Sequence, residues 1–193
     1  MAYNINLEKM KIMKIILIVV AVLIALILII YTYYGGFKKI EFVVSEQGGE
    51  ILVYENLVGD YKQSPVIMDK IYNNLLKNDK IETTKGFGIY YDNPQKVEIS
   101  KLRSEIGCII EEKDSSRVDE LKSKYLVKTY PKTSYLVTEF PYKNGISIFI
   151  GIMRVYPAMG ATIQKEGFSD KGAVMEIYDL PNKKIIYRKE IVK

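Results

Sequence analysis

One apolar run constrains this chain more than anything else in it. Ile15 to Ile30 reads IILIVVAVLIALILII without a polar residue, and Tyr31, Thr32, Tyr33 and Tyr34 extend it to twenty residues. At about 1.5 Å per residue such a helix is about 30 Å long, the thickness of a bilayer's hydrocarbon core. The tyrosines fall where an interfacial aromatic belt belongs. A cleavable signal has a shorter apolar region, about 7–15 residues, and a small-residue cleavage site, which is missing here. A core helix needs a polar side for solvent, and this run has none. The run therefore predicts an uncleaved single-pass anchor at about residues 15–34.

Its flanks bear on orientation. Lys9, Lys11 and Lys14 precede the run and Lys38 and Lys39 follow it. By the positive-inside rule this excess of one lysine keeps the N-terminus cytoplasmic and places the following domain outside the cytoplasm. A cytosol-facing domain is the alternative.

The rest is sized and composed for one globular domain. The 193 residues are 48% hydrophobic and 26% charged, which excludes a disordered or collagen-like chain. There is no His, and Cys108 is the lone cysteine, so His-dependent nucleophiles, His-ligated metals and internal disulfides are excluded. No cofactor or metal is expected. The net charge of +5 is spread over 28 basic and 23 acidic residues without long basic runs, which argues against nucleic acid as a partner.

Short strands and helices alternate after Gly35-Gly36 and predict an α+β fold. The division is an N-terminal segment with the anchor (1–34), a linker (35–49) and a ligand-binding domain (50–193). Strands are expected at 50–57, 87–91, 106–110, 125–130, 133–140, 173–178 and 184–190. Helices are expected from Ser64-Pro65 to Asn78, over 115–124, and from Asn144 to Glu166. The last of these packs Ile148, Ile152, Val155 and Met159 into the core. There is also an internal echo. Gly59-Asp60-Tyr61-Lys62 and Phe140-Pro141-Tyr142-Lys143 each precede a long helix, and Ile89-Tyr90-Tyr91-Asp92-Asn93-Pro94 matches Glu176-Ile177-Tyr178-Asp179-Leu180-Pro181. The echo predicts two strand–helix–strand–strand units related by a pseudo-twofold axis.

Glu176 is the singular residue. It lies between Met175 and Ile177 in an apolar strand, and alternation puts Tyr178 on its face. On the echo, Ile89 and Tyr91 correspond to Glu176 and Tyr178, so all four are expected to line one sheet face. A carboxylate desolvated there has a raised pKa and can meet an organic cation, with cation–π help from tyrosine. A solvated strand glutamate is the plainer reading. Arg103 and Arg154 suit structural ion pairs, Tyr61 and Tyr142 suit packing at helix entrances, and Cys108 suits an inert buried position.

The order of elements, together with Gly88-Ile89-Tyr90-Tyr91-Asp92-Asn93-Pro94, Leu102-Arg103 before Gly107, and Met175-Glu176-Ile177-Tyr178, resembles the GyrI-like (SOUL/GyrI-like effector-binding) domain family. The resemblance implies a curved sheet whose open face holds a small-molecule cleft, with the family's strand glutamate at Glu176. It implies binding of a small amphiphilic or cationic organic ligand by Glu176, Tyr178, Tyr91 and Ile89. Some members are hydrolases, which makes catalysis by Glu176 an alternative, although the residues favour binding without turnover. Anchored animal members that act as ER-phagy receptors share Phe140-Pro141-Tyr142 and Arg154-Val155-Tyr156-Pro157-Ala158. Their long acidic tail has no counterpart here, so that likeness implies fold and anchoring, and a protein-interaction adaptor is the third reading. No particular protein partner is expected from these residues.

Overall fold

A computed structural model describes residues 2–192 as two compact units, Met1–Lys38 and Lys39–Lys193. The first unit is helix α1 (Ala2–Tyr33) and its closing turns. Within its stretch from Lys9 to Tyr33 an 18-residue window has a mean hydropathy of 3.4, and no residue of that window is buried. By length and composition this helix can span a membrane, a test that a secretory signal also passes.

The second unit is α+β, with eight antiparallel strands among the described residues. They are β1 (Val43–Gln47), β2 (Ile51–Val58), β3 (Lys85–Tyr90), β4 (Arg103–Ile110), β5 (Leu126–Thr129), β6 (Thr133–Pro141), β7 (Val174–Asp179) and β8 (Lys184–Glu190). Their order across the sheet is β1-β6-β8-β7-β3-β4-β2-β5. The linker expected at 35–49 is therefore partly strand: Val43–Gln47 pairs with Thr133–Val137 of β6. The segment expected as a helix over 115–124 is a 3₁₀ stretch, Glu112–Arg117, running into the short helix α3 (Val118–Lys122). The other two helices are α2 (Ser64–Asn78) and α4 (Gly145–Glu166). Asn144 caps α4 by accepting from the Ile146 amide at 2.9 Å, and Gly167 ends it at φ 69°, a left-handed position that glycine takes without strain.

Both long helices cover the same face of the sheet. Gly86 lies under Met68 of α2, and Gly151 of α4 lies over the Tyr187 hydroxyl. The ladder sets Gly88 opposite Glu176 and Glu176 opposite Tyr187, so all of these side chains point toward the helices. Val53, Cys108 and Ile110 share that face and meet Ile71 and Leu75 of α2.

Among the described residues of this unit no helix covers the other face, yet Leu52, Phe87, Ile89, Met175 and Ile177 on it are at most 2% exposed. Curvature buries them. Edge strand β1 runs into β2, near the opposite margin, through Gly48, Gly49 and Glu50 alone, and β5 runs back into β6 through Tyr130, Pro131 and Lys132. Such short connections join distant margins only if the sheet curls. The corner is pinned by hydrogen bonds from the Gly49 amide to the Tyr130 carbonyl (2.9 Å) and from the Tyr130 amide to the Glu50 carbonyl (2.8 Å). A side chain at Gly48, whose φ is +110°, would strike the Pro131 carbonyl. Tyr130 and Tyr135 stack inside the curl, and Arg188 crosses it to pair with Glu50 at 2.7 Å.

Candidate functional site

A carboxylate with no cation beside it lies beneath α4. Glu176 sits mid-strand in β7, where Met175 and Ile177 fill the opposite face and the pleat forces the glutamate under the helix. Its residue is 2% exposed. Tyr156 Oη, from α4, donates to Oε1 at 2.7 Å, and Tyr178 Oη, two residues along the strand, donates to Oε2 at 2.6 Å. Among the described residues no lysine or arginine bonds to it. Burial pushes the Glu176 carboxyl above its ordinary range, and the two phenol bonds only partly oppose that push. The same burial, with the acid alongside, holds the Tyr156 and Tyr178 hydroxyls far above the usual phenol range.

Two further tyrosines complete the surround. Tyr187 faces Glu176 across the β7/β8 ladder, and its buried hydroxyl has no hydrogen-bond partner. Tyr90 folds back over Gly88, where a Cβ would stand 2.6 Å from its hydroxyl. Gly88 thus leaves room for an aromatic ring beside the acid. Tyr61 packs edge-on against Tyr90 at 4.8 Å between centroids, and Tyr142 against Tyr178 at 6.3 Å. The cluster is one acid among phenols, apolar at the rings and polar at one point.

Of the four residues expected to share a face, Glu176 and Tyr178 do. Ile89 and Tyr91 do not. Ile89 stands opposite Met175, and opposed residues in a ladder project to the same side, so Ile89 belongs to the interior of the curl. Tyr91 follows on that side but is 41% exposed, near Glu105, whose ladder partner is Ile89. The echo set Tyr91 on Tyr178 and Ile89 on Glu176, a phase that reverses the two faces. Nor does Glu176 lie on the face without helices: α4 covers it. Tyr156, Tyr187 and Tyr90 were missed. Tyr187 was accessible to reasoning, since Ile185, Tyr187 and Lys189 alternate in β8; Tyr156 gave no signal beyond being a polar ring on an apolar helix.

The remaining singled-out residues are structural. Arg103 clasps Asp92 through Nε (2.9 Å) and Nη2 (2.8 Å), which holds the Asp92 carboxyl below its ordinary range. Tyr61 Oη donates to the carbonyls of Asp92 and Arg103. Burial raises the Cys108 thiol to about 11, the state of an unreactive cysteine. Ile152 is 44% exposed and departs from the expected core face, whereas Val155 and Met159 are buried. Near the mouth of the curl a groove of about 390 Å³ is lined by residues including Tyr91, Arg103 and Glu105.

No known protein-family model matches the chain. Testis-expressed protein 264 of Homo sapiens is 34% identical over 87 residues, and its Mus musculus homologue is 33% identical over 87. The matched stretch is 42% of this chain but only 28% of those relatives. The C-terminal domain of EcmrR superposes with a TM-score of 0.55 at 11% identity, covering 80% of this chain and 98% of that one. SAV2435 bound to tetraphenylphosphonium gives 0.50 at 11% identity, covering 79% and 94%. An integron cassette protein of Vibrio cholerae gives 0.51 at 10%, covering 80% and 100%. The fold is similar to that of these three proteins, one of which is bound to a small molecule. At these identities the likeness is one of fold, and the GyrI-like comparison carries no residue of the site with it.

Proposed function

We propose that this protein binds a small amphiphilic or cationic organic molecule, with Glu176 as the counter-ion and Tyr178, Tyr156 and Tyr187 as its aromatic surround. The supporting observation is the buried carboxylate whose hydrogen-bond partners are phenols rather than a cation. Burying an unpaired charge costs several kcal/mol, so an acid kept in this position suits a site that exchanges a proton for a positively charged guest. The unpartnered Tyr187 hydroxyl is a second polar group available to that guest. SAV2435, similar in fold, is bound to tetraphenylphosphonium, a lipophilic cation of this class. Entry requires α4 to shift, because Tyr156 closes the site from the helix side.

In this reading α1 is an uncleaved single-pass anchor. The lysine count places the domain outside the cytoplasm. The strand order supports a duplicated unit: β6-β8-β7 and β2-β4-β3 approach the β7/β3 seam from either side in the same sequence of roles.

Calorimetric titration with tetraphenylphosphonium tests the binding reading. Glu176→Gln removes a charge-assisted contact of about 1.5–3 kcal/mol and should weaken binding about ten- to a hundredfold. Tyr178→Leu should weaken it less, and Tyr91→Leu, on the other side of the sheet at the mouth of the curl, should leave it unchanged. Weakening by Tyr91→Leu but not by Glu176→Gln would move the site to the other face. For the anchor, retention of the full chain in the membrane fraction after alkaline washing is expected, and a mature N-terminus near Gly35 would contradict it.

A further inference from the structure

Helix α4 has a second face that the binding site does not use. Its inner stripe, Ser147, Gly151, Val155, Met159 and Ile163, recurs every four residues and packs on the sheet. Its outer side carries Ile146 (46% exposed), Phe149 (63%) and Met153 (57%), with Ile152 (44%) at the flank. These fall at i, i+3 and i+7, one above another on the helix. An 18-residue window of the helix reaches a mean hydropathy of 1.5, enough to resemble a membrane span, yet only a third of that window is buried. A core helix of this composition would be covered. From Phe140 to Lys165 the chain has no acidic residue; Lys143 precedes the helix, and at its last turn Lys165 pairs with the terminal Glu166 at 3.5 Å.

We propose that the outward face of α4 docks in the headgroup region of the bilayer that α1 spans. The proposal rests on the anchor reading above. An uncovered apolar helical face with no acidic residue among its outward apolar positions and a lysine toward each end is what an interfacial helix presents to lipid. The covalent link points to the same occupant. Between Tyr33 and Lys39 the chain can extend no more than about 20 Å, so the domain never leaves the neighbourhood of the membrane surface. Held that close, even a weakly apolar face meets lipid at a high effective concentration. The same helix carries Tyr156 on its inner side, so lipid contact outside and the Glu176 cluster inside belong to one element. An amphiphile could then reach the site from the membrane instead of from water.

The test uses the full chain reconstituted in phosphatidylcholine vesicles, with an environment-sensitive dye on Phe149→Cys in one sample and on Val66→Cys in another. Val66 lies on α2 and is 71% exposed, and Cys108 is buried and escapes native labelling. The proposal expects a blue-shifted emission at 149 and quenching by spin-labelled lipid at least threefold stronger than at 66. Equal, water-like signals at both positions, in vesicles that retain the chain after alkaline washing, overturn the docking while leaving the anchor intact. A dye at 149 that is shielded but not quenched by the lipid label identifies a protein partner or a second copy, and also overturns it. Release of the chain by the wash refutes the anchor and the docking together.

Discussion

Two carboxylates of the second unit, Glu50 at the β1–β2 corner and Glu176 in β7, are treated in opposite ways. Inside the curl, Glu50 meets Arg188, whose side chain is 5% exposed, and the pair ties the β1–β2 corner to β8. Under α4, Glu176 accepts from the hydroxyls of Tyr156 and Tyr178, and among the described residues no lysine or arginine bonds to it. Opposite charges at hydrogen-bond distance offset each other's loss of water; phenols offset it only in part. The comparison separates a clamp from a site. The ion pair ties the corner together, and the acid among phenols is the group that the proposed function uses.

Breaking the clamp should have the largest effect. Arg188→Ala leaves Glu50 without its partner in a mostly buried corner and should lower unfolding stability by about 3–5 kcal/mol in urea titrations. A loss below about 1 kcal/mol would mean that the backbone bonds of the corner suffice alone. Next comes the phenol pair. Tyr156→Phe removes a hydrogen bond to a charged acceptor and should cost roughly 1.5–3 kcal/mol, while pushing the Glu176 carboxyl further up. A carboxyl signal in NMR titration that stays where it was would show that Tyr156 does not hold the acid.

The smallest effect is one of sign. Glu176 has a folded pKa above its unfolded value, so the native state holds the proton more tightly. Between those two values stability falls as pH rises, and it is regained as pH drops. Asp92 is the reverse case: Arg103 lowers its carboxyl, so its contribution is present above the unfolded pKa and lost as pH falls through the folded one. Measured against Glu176→Gln, which keeps Asp92, the wild type should gain relative stability as the pH is lowered from 7 toward 4.5. Parallel curves would remove the raised carboxyl from the account.

How much of this was legible in the residues depended on what kind of information was needed. Alternation inside a strand was readable: Lys184–Glu190 is β8 as expected, and Glu176 and Tyr178 do share a face. Phase between strands was not. Period two fixes which residues of one strand go together, but only the ladder says which partner faces them, and a one-residue slip reverses every side chain. That is how Ile89 and Tyr91 were set with Glu176 when Gly88 is its true neighbour. Strand β1 escaped because an edge strand with Val43 and Val44 both exposed shows no buried period. Curvature was expected through the family resemblance alone; what closes the curl is two three-residue connections whose consequence appears only once the strand order is known.

The central claim is that Glu176 is an acid kept ready to ionise for a cation. The most direct measurement is the affinity for tetraphenylphosphonium as a function of pH. Below the pKa of Glu176 the guest must displace a proton, so binding should tighten by up to about tenfold per pH unit and level off once the carboxyl is ionised. In Glu176→Gln the profile should be flat and weak. A wild-type profile equally flat from pH 4 to pH 8, with affinity matching that of the variant, would contradict the account.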